Sequence, residues 1–158
     1  MARVPPDSLL AQAARPVRER LRSDGERVDH PGRALFEYFG RHLFDVDLTV
    51  KRCCRACRVW KGSALQVVQT EIGTTLGRYL EELRVETAMR LLVLVGGEWP
   101  ASDAGSLVGY EGEDALRSAF ERQTGLTHTV YQKQVRTLAQ LGRIARMVGA
   151  PELAPGAG

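Results

Sequence analysis

The sequence of 158 residues predicts an all-α protein in which one helical unit occurs twice. Sustained alternation of apolar and polar residues is missing from it and β-branched runs are few, which argues against strands. Segments with apolar residues at helical spacing end repeatedly at glycine, which is typical of helix C-termini. A set of residues also recurs 52 positions later: Val68 as Phe120, Gly73 as Gly125, Thr75 as Thr127, Tyr79 as Tyr131 and Arg84 as Arg136. We therefore predict two three-helix units joined by a long helix.

The two ends of the chain differ from this pattern. Residues 1–31 contain four prolines and nearly balanced charge, which predicts a mobile N-terminal arm. Within the arm, one short helix near residues 8–21 is expected to be interrupted at Pro16. Residues 150–158, with the sequence APELAPGAG, have the composition of a disordered tail.

Between the ends, helical periodicity and glycine stops define the predicted elements. The first subdomain, 32–75, is predicted to contain helices over 33–43, 49–57 and 61–72, the last stopped by Gly73. A linker helix over 76–95 follows within the segment 76–97 and stops at Gly96 and Gly97. The second subdomain, 98–149, is predicted to contain a short helix from Pro100, a helix over 112–124 and an extra C-terminal helix over 127–148.

The length of the linker helix has a functional consequence. A helix of about 20 residues is about 30 Å long, and one turn of B-DNA is about 34 Å. A rod of that length can place two helices in successive major-groove segments on one face of a duplex.

Positive charge is concentrated in the first unit, although the whole chain carries a formal net charge of only +3. Residues 48–70 contain five basic side chains and no acidic one: Lys51, Arg52, Arg55, Arg58 and Lys61. A patch of one sign on a helical unit is typical of a phosphate-binding surface.

The helices predicted at 49–57 and 61–72 have the pattern of a helix-turn-helix. In this motif the second helix enters the major groove while the first crosses the phosphate backbone. The five basic residues are therefore predicted to contact phosphates. The predicted groove-facing residues of the second helix are Gly62, Leu65, Gln66 and Gln69. The glutamines suit adenine edges, and Leu65 suits a thymine methyl group.

Two stretches of the sequence resemble a known family. Residues 109–132, GYEGEDALRSAFERQTGLTHTVYQ, contain a glycine–aromatic turn followed by phenylalanine, glycine and tyrosine at fixed spacing. Residues 79–92, YLEELRVETAMRLL, are similar to the linker helix of the same family. Over roughly residues 35–136 the chain thus resembles the AraC/XylS family of bacterial transcription regulators. The resemblance implies two helix-turn-helix subdomains, contact of a monomer with successive grooves of double-stranded DNA, and promoter regulation through RNA polymerase.

The chain departs from the family pattern at three positions and in the charge of its second unit. Cys54, Arg58 and His128 stand where alanine-type, glycine and proline residues are usual, and an arginine in a left-handed turn would be strained by roughly 1–2 kcal/mol. Residues 101–124 contain five acidic and two basic side chains, and the predicted outward residues there are Glu113, Asp114 and Arg117. Because acidic groups repel phosphate, we expect the first subdomain to dominate DNA contact. The second subdomain is expected to bind DNA weakly, or to accept a hydrogen bond from cytosine through the carboxylate of Glu113 or Asp114.

Two alternatives to this function stay open at the level of the sequence. The duplicated fold can act mainly through protein–protein interaction, with the second unit as the binding surface. Alternatively, the three cysteines within 53–57 can make the chain a thiol- or metal-responsive DNA-binding sensor, with Arg52 and Arg55 lowering a thiol pKa. Burial of the cysteines is the favoured interpretation, because a structural zinc site needs four ligands and only His42 is a nearby candidate. Trp60 is likewise assigned to the core or to packing at a helix start rather than to base stacking.

Other classes of protein are not supported. Phosphate-loop and dinucleotide glycine patterns are missing and no histidine has nucleophile–base spacing, so no enzyme, cofactor or metal is predicted. An odd cysteine count, no secretory signal and no membrane span favour a cytoplasmic location. After the resemblance ends, an apolar stripe comprises Leu138, Leu141, Ile144, Ala145 and Val148. We expect it to pack on the second subdomain; a homodimer or RNA polymerase contact through 137–148 is the alternative.

Overall fold

A computed structural model describes residues 6–29 and 32–147, and every regular element in those ranges is a helix. The helices are α1 (Pro6–Glu26), α2 (Gly32–His42), α3 (Val50–Ala56), α4 (Lys61–Ile72), α5 (Leu76–Leu94), α6 (Ala101–Leu107), α7 (Glu113–Thr124) and α8 (His128–Met147). The predicted all-α fold is confirmed, and the periodicity placed α2 to α8 close to their observed bounds. The predicted end of the last helix at 148 and the tail 150–158 lie outside the described residues. No helix in the described ranges combines the length and hydropathy needed to cross a membrane.

The prediction of a mobile N-terminal arm is wrong for the part of it that the structure describes. Helix α1 is 21 residues long, continues through Pro16, and buries Ala13, Val17 and Leu21. These three residues recur every fourth position and form one helical stripe, whose burial offsets the hydrogen bond that Pro16 cannot donate. The Tyr79 hydroxyl of α5 also donates to the Asp24 carboxylate at 2.6 Å. Proline content suggested mobility, whereas the stripe and its partner helices decide the outcome.

Helix α5 is shared by two hydrophobic cores. Its first half contributes Leu76, Tyr79, Leu80 and Leu83 to a core with α1, α2, α3 and α4. Its second half contributes Val85, Ala88, Leu91 and Leu92 to a core with α6 and α7. Helix α1 runs across both cores, since Val17 and Leu21 belong to the first and Ala13 to the second. The linker helix is therefore packed along most of its length rather than solvated.

A buried arginine joins the two units at the middle of α5. The Arg84 guanidinium donates to the carbonyls of Leu43 at 2.9 Å, Asp45 at 2.6 Å and Gly109 at 3.3 Å. It also lies 5.7 Å from the centroid of the Tyr110 ring. Burial lowers the pKa of Arg84 from its usual value. One side chain thus ties the loop after α2 to the turn after α6, which sets the relative position of the two units.

The backbone repeats what the sequence repeats. Helices α4 and α7 both end at a left-handed glycine, Gly73 (φ 84°) and Gly125 (φ 74°). The helices that follow both start after a threonine whose hydroxyl accepts from a backbone N–H three residues on, at 3.3 Å for Thr75 and 3.2 Å for Thr127. In both units, therefore, a glycine caps the C-terminus of one helix and a threonine caps the N-terminus of the next.

Candidate nucleic-acid interface

Helix α3 carries the first part of the basic patch. The Thr49 hydroxyl caps it by accepting from the Arg52 N–H at 3.0 Å, and Cys53 and Cys54 bury its inner face. Lys51 and Arg55 are exposed and lie one helical turn apart on the outer face. The capping residue and the apolar thiol face thus orient two cations toward solvent.

The turn after α3 holds Arg58 in a left-handed conformation with φ of 53°. Its counterpart in the second unit is Gly109, with φ of 95°. The turns have the same closing bond, Val59 N–H to Cys54 carbonyl and Tyr110 N–H to Gly105 carbonyl, each at 2.9 Å. The strain expected for an arginine at this position is therefore present, and it is accepted in the first unit at an exposed, cationic position.

Helix α4 presents most of the residues predicted to face the groove. Lys61, Gly62, Gln66 and Gln69 are exposed, and a Cβ added at Gly62 would meet nothing within 4 Å. Leu65 is half-buried and packs against the first core, so it is only partly outward, and its contact with a thymine methyl group stays a prediction. Helical spacing placed Leu65 at the edge of the buried stripe, and an apolar side chain at such an edge turns inward.

The five basic residues of the patch differ in whether they form an ion pair with an acidic side chain of the same chain. Arg52 lies 2.5 Å from the Asp47 carboxylate and 3.9 Å from that of Asp45, so it already pairs with acids of the first unit, and its contact with phosphate stays a prediction. The other four cations, Lys51, Arg55, Arg58 and Lys61, form no ion pair within residues 6–29 and 32–147. An unneutralised cluster of four charges is what a polyanion would meet on this surface.

The second unit presents acids at the equivalent place. Glu113, the first residue of α7, is 59% exposed and lies 3.3 Å from Nε2 of His128. Asp114 is 97% exposed and Arg117 49% exposed, with a loose contact of 3.9 Å between them. His128 itself is buried against Phe120, with ring centroids 6.4 Å apart. This unit resembles the first in backbone and opposes it in charge.

A further cation of α7 is turned away from the outward face. Arg122 donates to both carboxylate oxygens of Glu81 in α5, at distances of 2.7 Å and 3.0 Å, and Gln123 donates to the same carboxylate at 3.1 Å. Burial alone would raise the pKa of Glu81, but the hydrogen bonds from Arg122 and Gln123 outweigh it and lower that pKa. The contact joins α7 to the linker helix and pairs this exposed cation with an acid of the same chain.

The cysteines line the interior of the first unit. Cys53 and Cys54 are buried, Cys57 is half-buried, and all three are free thiols. Burial raises the pKa of Cys53 to about 12 and also raises the pKa values of Cys54 and Cys57. The idea that neighbouring arginines would lower a thiol pKa is therefore wrong in sign, because desolvation of the thiolate dominates.

Two apolar features contradict their predicted packing. Trp60 is 84% exposed at the N-cap of α4 and makes no side-chain capping bond. On α8, Leu138 is 63%, Leu141 47% and Ile144 55% exposed, so these residues do not pack on the second unit. The Ala145 side chain and Val148 lie outside the described part of the structure. Sequence reasoning also missed the joining role of Arg84, whose only signal was its place in the repeat.

Comparison with known proteins agrees with this architecture. Residues 53–134 match a family described as a helix-turn-helix domain. The fold is similar to that of the C-terminal domain of AraT, a response regulator from Geobacillus stearothermophilus, with 20% sequence identity and a TM-score of 0.56. The similarity covers 84% of this chain and 88% of that one. No curated protein matches the sequence.

Proposed function

The chain belongs to the AraC/XylS family of helix-turn-helix DNA-binding domains, and from that premise we propose that it recognises specific sequences of double-stranded DNA mainly through α3 and α4. Members of this family bind DNA and regulate transcription. The observation that supports the dominance of the first unit is its cluster of four exposed cations without an ion pair among the described residues, next to two exposed glutamines. Such a regulator acts where bacterial DNA lies, in the cytoplasm.

The proposed roles follow from position and chemistry. Lys51 and Arg55 on α3, with Arg58 and Lys61 around the turn, neutralise phosphates along the groove edge. Gln66 and Gln69 lie three residues apart on one exposed face of α4, where their amides can pair with adenine edges. Base readout is thus assigned to the two glutamines and affinity to the four cations.

The second unit is proposed to add a weaker contact in the next groove. Helix α5 has 19 residues, which corresponds to a length of about 28 Å at 1.5 Å per residue, close to the ~34 Å turn of DNA. Glu113, Asp114 and Arg117 are exposed there, and the carboxylate of Glu113 or Asp114 can accept a hydrogen bond from a cytosine amino group. In this proposal the two helix-turn-helix subdomains comprise residues 32–75 and 98–149, and the linker helix lies within residues 76–97.

Salt-dependent binding tests the placement of the cations. Arg55→Ala and Lys61→Ala should each weaken binding to any duplex and reduce the slope of log affinity against log salt by about one. Lys133→Ala on α8 is the matched control, with the same loss of charge outside the proposed interface, and should leave the slope unchanged. Equal slopes for Lys61→Ala and Lys133→Ala would refute the placement.

Sequence preference is tested separately. Gln66→Ala should change the bases selected from a random duplex library while leaving the salt slope intact, because it removes an amide and no charge. If the selected sequences are the same for parent and variant, Gln66 does not read bases.

The exposed stripe of α8 supports a protein contact, either with RNA polymerase or with a second copy through residues 137–148. The same stripe favours the second candidate function, a module that acts mainly through protein–protein interaction. Leu138→Glu and Ile144→Glu alter exposed side chains, so folding should survive. Light scattering of parent and variants over a range of concentrations tests the homodimer. A monomeric parent whose variants bind DNA normally but lose promoter activity in a purified transcription reaction would favour the polymerase contact.

A further inference from the structure

Trp60 is the largest exposed apolar side chain of the first unit within the part of the chain that the structure describes. It is 84% exposed, and as the N-cap residue of α4 it makes no side-chain hydrogen bond to the helix start. Serine or threonine at an N-cap would stabilise the helix, as Thr49 does for α3. An indole at this position stabilises neither the core nor the cap, so its surface is available to a partner.

The residues around Trp60 separate a buried side from an exposed, cationic surface. Val59 packs against the first core, while Trp60 has an extended backbone with φ of −73° and ψ of 124°. Val59 is half-buried, whereas Trp60 is exposed. Arg58, in its left-handed turn conformation, is also exposed, as is Lys61 directly after Trp60.

We propose that Trp60 is a DNA-contacting residue whose indole packs against the deoxyribose rings of the backbone at the edge of the groove entered by α4. This proposal deepens the proposed DNA-binding function and rests on it. The charges argue for the backbone rather than for base edges, because Arg58 and Lys61 on either side of Trp60 are cations that seek phosphates. Between two such contacts, the apolar surface facing a large aromatic ring is sugar.

The contact is independent of sequence, so a pool of random 30-base-pair duplexes serves as the probe. Trp60→Ala should weaken binding to this pool by about tenfold and leave the salt slope unchanged, since no charge is lost. Trp60→Phe should keep most of the affinity. Lys61→Ala is the contrasting variant, because it should lower both the affinity and the slope. Circular dichroism of each variant checks that the fold is intact.

Fluorescence provides a readout that an indirect structural effect would not change. The chain has two tryptophans, and Trp99 is half-buried with its carbonyl accepting from Gln132 at 2.5 Å. A Trp99→Phe variant therefore reports Trp60 alone. Acrylamide should quench the Trp60 emission of the DNA-free protein, and binding of duplex should reduce this quenching.

The outcomes separate this inference from the function on which it rests. If the Trp99→Phe protein binds duplex with parental affinity but Trp60 stays fully open to acrylamide, the inference is wrong and the DNA-binding function stands. If Trp60→Ala lowers the salt slope like Lys61→Ala, the variant has disturbed the cationic turn and the sugar contact is refuted. If no duplex binds at any salt concentration, both fail together.

Discussion

Replacing Arg58 by glycine is expected to stabilise the protein even though it removes a cation from the proposed interface. Arg58 has φ of 53°, a conformation that costs a residue with a Cβ about 1–2 kcal/mol. Glycine avoids this cost but loses more backbone entropy on folding, by roughly 0.5–1 kcal/mol. The net gain in the free energy of unfolding is then about 1 kcal/mol, which corresponds to a rise in Tm of roughly 2–4 °C for a domain of this size.

Arg58→Ala is the matched control for this prediction. It loses the same charge and keeps the Cβ, so its Tm should stay within about 1 °C of the parent. Thermal and urea unfolding followed by circular dichroism measure the difference between the two variants. A glycine variant no more stable than the alanine variant would refute the strain at this turn. In duplex binding both should lose affinity equally, with a salt slope smaller by about one.

Three further predictions concern the join between the units and the interior. Gly109→Ala should cost about 2–4 kcal/mol in urea unfolding, because its Cβ would lie 2.9 Å from both Cζ of Arg84 and the carbonyl oxygen of Phe44. Gly77→Ala, where a Cβ meets nothing within 4 Å, is the control and should be neutral or stabilising by up to about 1 kcal/mol. Arg84→Met should cost about 2–4 kcal/mol, since three carbonyls lose their donor, and a cost below about 1 kcal/mol would contradict its joining role. Because burial raises the pKa of Cys53 from 9.0 to about 12, the folded state keeps that proton above pH 9 while the unfolded state releases it, so stability should fall as pH rises from 9 toward 12. Cys53→Ala should remove that part of the fall, and identical pH profiles for parent and variant would contradict it.

Local features of the sequence were sufficient for helices α2 to α8. Glycine stops such as Gly73 and Gly125, threonine caps and apolar periodicity act within a few residues, and short-range chemistry decides where a helix begins and ends. The repeat at a spacing of 52 carried the architecture further, since like sequences form like units. The same local reasoning placed Lys51, Arg55 and Lys61 on exposed surface.

Most of the differences between prediction and structure concern which part of the chain a residue meets after folding. Pro16 and its surroundings look mobile until α5 and α2 supply a partner for the stripe of α1. Leu65 lies at the boundary between two faces of α4 and is partly buried by packing. Trp60 was assigned to packing and is instead 84% exposed. The ion pair of Arg52 is another example, because the conformation of the loop before α3 brings Asp47 to it.

Amino-acid order thus encodes the helices, their caps, the duplication and the sign of charge on each unit, because these depend on contacts between near neighbours in the chain. The burial of α1, the exposure of the α8 stripe and the joining of both units by Arg84 depend on contacts across tens of residues. Such contacts exist only once the chain has packed, since free energy from apolar burial and buried hydrogen bonds depends on which surfaces meet.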